Sequence, residues 1–205
     1  MKPVIAVGNG ESRSNIDLSL VIDDFTVVGC NALCRDYTLD HLVCVDRRMV
    51  VEALTYNIPT IYTRPDWSNS FLSSNVTPVP DLPYNGNLRQ DDPFQWGSGP
   101  YAVLVAAHLA ESEVYLVGFD LYSKNDKVNN VYKGTANYVK EDSHDVSPKY
   151  WIHQIGKVIE YFPHITFKTF VEDDWQLPPE WNQFNLEQES ITKFATMANQ
   201  RLLYN

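Results

Sequence analysis

Apolar residues fall along the chain in short runs, each broken by glycine, asparagine or aspartate, and these runs predict the elements. Val4-Ile5-Ala6-Val7 reads as a buried strand that opens into Gly8-Asn9-Gly10. Phe25 to Cys30 predicts a second strand ending at Asn31, His41 to Val45 a third ending at Asp46, and Pro59 to Thr63 a fourth. Glu113 to Val117 gives a fifth, followed by Gly118-Phe119-Asp120-Leu121-Tyr122, and Ile165 to Val171 alternates like a final strand. Between these runs the period lengthens. Asn15 to Leu18 suits a short helix or turn, and Val50, Val51 and Leu54 are spaced for a helix over 47–56, stopped by Asn57 and Pro59. Gly97-Ser98-Gly99-Pro100 predicts the start of a nearly all-apolar helix reaching Ala110, with Ser98 as N-cap and Pro100 in the first turn. Trp151, Ile152, Ile155 and Ile159 predict another after Ser147-Pro148.

Strands alternating with helices predict an α/β chain: a Rossmann-like, mostly parallel sheet flanked by helices. Successive strands then end in polar residues at one sheet edge, where such folds bind ligands. Glycine carries no Cβ, so Gly8-Asn9-Gly10 would let a ligand approach the backbone closely; the alternative is that it is only a tight turn.

Two polar stretches interrupt the alternation and read as lid-like insertions. Residues 64–96 hold five prolines, and 124–147 are rich in Asn, Lys and Asp, with Tyr132 and Tyr138 as isolated aromatics. The nucleotide-binding or transferase domain is expected over 1–171. Residues 172–205 form an acidic tail with Trp175, Pro178-Pro179 and Trp181, then an amphipathic C-terminal helix over 186–203. That helix either packs back on the domain or meets a partner subunit in a homo-oligomer; it has no long heptad pattern.

At 205 residues, 44% hydrophobic and 13% aromatic, the chain suits one folded domain with a sizeable core. The net charge of −10, from 26 acidic against 16 basic residues, argues against a general nucleic-acid or anionic-membrane surface. Any phosphate must then be held locally, by backbone N–H groups and a few polar side chains. Cys30, Cys34 and Cys44 lie in or beside apolar strands and read as small buried residues of a reducing compartment; Cys30-x-x-x-Cys34 lacks the second ligand pair of a zinc site. No apolar run reaches membrane-spanning length, and a cytoplasmic protein is expected.

Several motifs fall in one order: Gly8-Asn9-Gly10-x-Ser12 with Asn15-Ile16-Asp17, Cys30-Asn31, Ser98-Gly99 opening an apolar helix, and Gly118-Phe119-Asp120-Leu121-Tyr122. Over roughly 4–167 this series resembles the bacterial CMP-sialic-acid-dependent sialyltransferases of glycosyltransferase family 42. It is also similar to the MptE-like family, which includes archaeal 6-hydroxymethylpterin diphosphokinases. The resemblance implies a nucleotide donor bound across the strand ends. Asn9 and Gly10 would meet its ribose and phosphate, Asn31 the phosphate or sugar, and Ser98 and Gly99 the nucleotide at a helix start, where free N–H groups favour an anion. Gly8, Ser12 and Asp120 join the donor-binding set by motif, Asp120 either touching ligand or orienting loop backbone. Of the two tyrosines that hold the departing phosphate in the sialyltransferases, one position is Leu121, with Tyr122 beside it as a substitute, and the other is Tyr132. The family's general base corresponds to His144.

The chemistry is consistent with those residue types. Glycosyl transfer needs a base for the acceptor hydroxyl and donors for the leaving phosphate, and an imidazole titrates near neutrality. The alternative for His144, within Glu141-Asp142-Ser143-His144-Asp145, is an exposed histidine with no such role. Two departures from the sialyltransferases add negative charge: Asp46 replaces an asparagine and Glu11 a proline. Asp46 could hold Mg²⁺ on a diphosphate, as in the MptE-like branch, or cap a helix and pair with Arg47 or Arg48. Three readings follow: a nucleotide-activated-sugar transferase, a Mg²⁺-dependent diphosphokinase, and a non-catalytic binding or assembly module.

Overall fold

A computed structural model describes residues 2–84 and 96–201 of the chain. Residues 1, 85–95 and 202–205, which include part of the first polar excursion and the end of the helix expected over 186–203, lie outside that description. Eight strands form one sheet: β1 (Val4–Val7), β2 (Thr26–Cys30), β3 (His41–Val43), β4 (Thr60–Thr63), β5 (Val76–Pro78), β6 (Glu113–Val117), β7 (Thr166–Val171) and β8 (Leu186–Ser190). Their spatial order is β5-β4-β3-β2-β1-β6-β7-β8, and every pair is parallel. Helices α1 (Arg47–Ala53), α2 (Pro65–Ser68), α3 (Ser98–Leu109), α4 (Lys149–Tyr161) and α5 (Ile191–Arg201) complete the α/β architecture.

Alternation along β1 divides the core. Val4 and Ala6 face one side, where α3 and α4 bury Val103, Leu104, Ile155 and Ile159 against β6 and β7. Ile5 and Val7 face the other, with Met49 and Val50 of α1 and Phe194 and Ala198 of α5. β1 and most of β2 are buried on both faces, which explains why they read as continuous apolar runs. On α3 every residue from Pro100 to Ala107 is buried.

The C-terminal segment differs from its sequence pattern. Leu186 to Ser190 is a strand paired with β7, not the start of a helix, and α5 begins only at Ile191. The described part of α5 packs back on the domain through Phe194 and Ala198. Trp181 is fully buried and donates Nε1–H to the Ile152 carbonyl of α4 at 2.9 Å. The buried Asn185 amide nitrogen donates to the carbonyls of Ile159, Phe162 and Ile165, at 3.0, 3.1 and 3.1 Å, closing the C-terminal end of α4. Among the described residues no helix is long and apolar enough to cross a membrane.

The topology also fixes where a ligand can enter. From β1 the chain steps outward through β2, β3, β4 and β5, then returns to lay β6 on the other side of β1. The carboxyl ends of β1 and β6 are therefore the point where strand order reverses, the position at which open α/β sheets form a crevice.

Candidate active site

At that crossover the loops after β1 and β6 lie back to back. Gly8 N–H donates to the Val117 carbonyl and Gly10 N–H to the Gly118 carbonyl, both at 2.8 Å. Gly118 takes φ +75°, and a Cβ placed on Gly8 would stand 2.3 Å from the Gly118 oxygen, so the approach requires glycine on both sides. Beyond them Leu121 is held at φ 64° and Asn31, at the end of β2, at φ 51°. Two non-glycine residues in the left-handed region at one sheet edge are a local strain, of the kind found around binding sites.

These loops, the start of α3 and the end of β3 enclose a cavity of about 360 Å³. Gly8, Asn9, Gly10, Asn31, Asp46, Ser98, Gly99 and Asp120 all line it, as do Asp145, Val146 and Trp151 on its outer rim. Positions 143 residues apart in sequence, Gly8 and Trp151, thus meet at one rim of the sheet. Helix α3 is entered through Gly97 as N-cap, so Ser98 is the first helical residue and not the N-cap that its position suggested. Its hydroxyl instead accepts the Val45 N–H at 3.0 Å and ties α3 to the end of β3.

Many polar groups expected to meet a ligand hold loops to one another. Asp120 accepts both the Ser12 N–H (2.8 Å) and the Ser12 hydroxyl (2.5 Å). Ser12 is outside the cavity lining, whereas Asp120 is part of it. The Asn9 amide nitrogen donates to the Cys30 carbonyl (3.3 Å) and the Tyr138 hydroxyl (3.2 Å). Asp46 caps α1 by accepting Arg48 N–H at 2.9 Å, and pairs with the Arg48 guanidinium at 3.1 Å. Burial alone would raise the Asp46 carboxyl, and the hydrogen bonds from Arg48 outweigh it, giving a net downward shift. Among the described residues no group of three His, Cys, Asp or Glu side chains is placed to hold a metal ion. The Asp46 carboxylate is engaged by the start of α1 and by Arg48.

Asn31 stands apart from this pattern. Its side-chain oxygen is buried and has no hydrogen-bond partner, in a residue that lines the cavity. Such an acceptor is costly to leave unmatched.

The tyrosines lie elsewhere. The Tyr132 hydroxyl donates to Asp36 and accepts from Arg13 Nη2 at 3.2 Å, on the far side of the β1 loop from the cavity lining. Burial, and then its bond to Asp36, push its pKa above the ordinary phenol value. Tyr122 packs beside Trp175, with ring centroids 6.1 Å apart, in a smaller cleft next to the main cavity. His144 is exposed, in an isolated antiparallel bridge with Lys127, one residue before the cavity-lining Asp145.

The second polar excursion is partly stitched down. Val131 N–H donates to the Asn9 carbonyl (2.9 Å), Asn129 accepts Glu11 N–H (2.7 Å), and Arg35 donates to Thr135 and Ala136, both at 2.8 Å. The segment from Val139 to Ser147, which carries His144, is mostly exposed, as are 124–126 and 134–137.

Arg13 is a residue that local sequence pattern does not single out. It is 4% exposed and donates Nε–H to the Gly8 carbonyl at 2.8 Å and Nη2–H to Asn9 Oδ1 at 3.4 Å. The three cysteines are free and buried, and burial raises Cys30, on the cavity wall, to about 12.

No protein-family model matches the chain, and no curated protein is significantly similar to it in sequence. Two solved structures share its fold over most of its length. One is a variant of the sialyltransferase CST-II in complex with CMP, 19% identical, covering 89% of this chain and 88% of its own, with a TM-score of 0.52. The other is CstII from Campylobacter jejuni with a substrate analogue, cytidine-5′-monophosphate, at 17% identity, 90% and 88% coverage, and a TM-score of 0.51. The chain thus shares the fold of these CstII sialyltransferase structures.

Proposed function

We propose that this protein is a nucleotide-dependent group transferase that moves a sugar from a CMP-type or similarly activated donor to a hydroxyl acceptor. The observation that carries the reading is the single cavity at the sheet crossover, walled by Gly8-Asn9-Gly10, Asn31 and the first turn of α3. Its volume of about 360 Å³ suits a small ligand. The N–H groups at Ser98 and Gly99 suit a phosphate, and CMP is the ligand named for both similar sialyltransferase structures.

In this reading the acceptor oxygen attacks the anomeric carbon while the His144 imidazole takes its proton. The bond from that carbon to the phosphate oxygen breaks, and its electron pair leaves with the nucleotide. Backbone N–H groups of the α3 start and the Asn31 amide donate to the departing phosphate. The Tyr132 hydroxyl is occupied by Asp36 and Arg13, so this scheme gives it a loop-supporting role and keeps Tyr122 at the margin. No step requires a metal ion.

Calorimetric titration with CMP, CDP, UDP and ATP, with and without Mg²⁺, tests the reading. CMP is expected to bind without metal, and His144→Ala to lower turnover by about 10²–10⁴-fold with CMP affinity kept. Absence of binding by every nucleotide at millimolar concentration overturns the proposal. Mg²⁺-dependent ATP binding that is lost in Asp46→Asn would replace it with diphosphate transfer.

A further inference from the structure

Arg13 is a buried cation without a counter-charge. Its nitrogens meet neutral acceptors, the Gly8 carbonyl, Asn9 Oδ1 and the Tyr132 hydroxyl, with the guanidinium carbon 5.5 Å from the Tyr132 ring centroid, and Nη1, without a protein partner among the described residues, keeps some contact with solvent. It forms no ion pair among those residues either, although the chain carries 26 acidic side chains. A guanidinium taken out of water normally requires a carboxylate or phosphate, since several kcal/mol of hydration must be replaced. Asp36, the nearest carboxylate in this network, is reached only through the Tyr132 hydroxyl.

The position of that charge is informative. Arg13 holds the Gly8 carbonyl, and a Cβ built on Gly118 would lie 3.1 Å from Arg13 Cδ. Gly8 and Gly118 both line the cavity, so the side chain runs directly behind its floor. Its field also reaches Cys30 on the same wall, where it opposes the upward shift caused by burial. The cavity's own lining carries Asp46, Asp120 and Asp145 but no Lys, Arg or His among the described residues. An anionic ligand therefore meets three carboxylates and, for positive potential, the α3 start and what lies beneath the β1 and β6 loops.

We infer that Arg13 is the positioning and charge-selecting residue of the site: it orients the Gly8-Asn9-Gly10 loop and, from behind that loop, supplies the positive potential that favours a phosphorylated ligand over its uncharged nucleoside. This rests on the nucleotide reading above and extends it to a residue that need not touch the ligand.

The test compares CMP with cytidine, measuring affinity for each by calorimetry in wild type, Arg13→Lys and Arg13→Met, with thermal melts to verify folding. Wild type binds CMP more tightly than cytidine. Arg13→Met is expected to lower CMP affinity about ten-fold with cytidine affinity nearly unchanged, and added salt should weaken CMP binding less than in wild type. Arg13→Lys, which keeps the charge and loses the fork, is expected to retain most of the CMP preference. A folded Arg13→Met protein that loses both ligands equally, or neither, overturns the inference and leaves Arg13 a purely structural residue. If Arg13→Met does not fold, a folded Arg13→Lys protein that has lost the preference overturns it, and one that keeps it supports it. Wild type that binds neither CMP nor cytidine removes the nucleotide reading and this inference together, an outcome distinct from a wild-type preference that is indifferent to Arg13.

Discussion

Adding one methyl group at Gly8 should separate the two loops that make the cavity. In Gly8→Ala the new Cβ would stand 2.3 Å from the Gly118 oxygen and 2.9 Å from its carbonyl carbon, with Phe119 Cδ2 at 3.3 Å. The first two are backbone atoms, so relief requires the ends of β1 and β6 to part by roughly 1 Å, against a normal carbon contact near 3.5 Å. That movement strains the paired bonds from Gly8 N–H to Val117 and Gly10 N–H to Gly118. Losing them costs about 1 kcal/mol each, and overpacking adds about 1–3 kcal/mol. The stiffer unfolded chain returns about 0.4–1 kcal/mol. The net is a destabilisation of about 2–4 kcal/mol, or about 5–15 °C in Tm for a domain of this size.

A fluorescence-detected melt, using the buried Trp96 and Trp181, reads the change. Gly99→Ala is the internal control, because a Cβ there meets only Phe119 Cε1 at 3.6 Å, an ordinary contact, and alanine favours a helix. Its melt should stay within about 2 °C of wild type or rise. If Gly8→Ala melts with wild type while still binding nucleotide equally well, the back-to-back loop geometry argued here is wrong.

Two further outcomes follow from the same loops and their supports. Asp120→Ala removes the acceptor of both the Ser12 N–H and hydroxyl, and should destabilise by about 2–3 kcal/mol in urea unfolding; an unchanged midpoint would show that the Ser12 turn stands without it. The half-buried Arg35–Glu52 pair, at 2.5 Å, holds the Glu52 carboxyl below its ordinary value, chiefly through the Arg35 hydrogen bond. A carboxyl depressed in the folded state contributes stability that is complete above its ordinary pKa, near 4.5, and lost as pH falls through the folded value. Stability measured from pH 6 to pH 3 should therefore fall more steeply in wild type than in Glu52→Gln, and equal slopes would refute the assignment.

The inner strands are legible because β1 and β2 are buried at nearly every position and read as apolar runs, while β4, β6 and β7 alternate buried with half-buried residues. The two edge strands are not. β5 is three residues long and ends in proline, which an edge strand tolerates because its outer N–H has no partner. β8 reads Leu-Glu-Gln-Glu-Ser, with half of its surface open to water, and owes its conformation to the ladder with β7. Its polar pattern marks no strand, and the helical spacing of α5 extends backwards over it. The Arg13–Tyr132–Asp36 network was invisible for a different reason: its members are 119 and 96 residues apart, and each alone resembles a surface polar residue.

The motif residues themselves carry the last lesson. Asn9, Ser12 and Asp120 stand out in the sequence as a ligand set, yet in the folded chain their side chains bind the loops to each other. This follows from the crossover geometry. Where two parallel strands diverge from a shared edge, their loops converge at backbone contact distance, and every polar group trapped there must find a partner inside the protein. The same crowding that demands glycine at 8 and 118 therefore also demands carboxylate and amide acceptors for the turns that leave them. Residues fixed by loop closure and residues fixed by ligand contact then share one short motif, and what separates them is whether hydrogen bonding is complete. By that criterion the Ser12–Asp120 bonds close the loops, whereas the Asn31 oxygen has no hydrogen-bond partner and Arg13 no ion pair among the described residues, and these are the groups on which the proposed nucleotide site would draw.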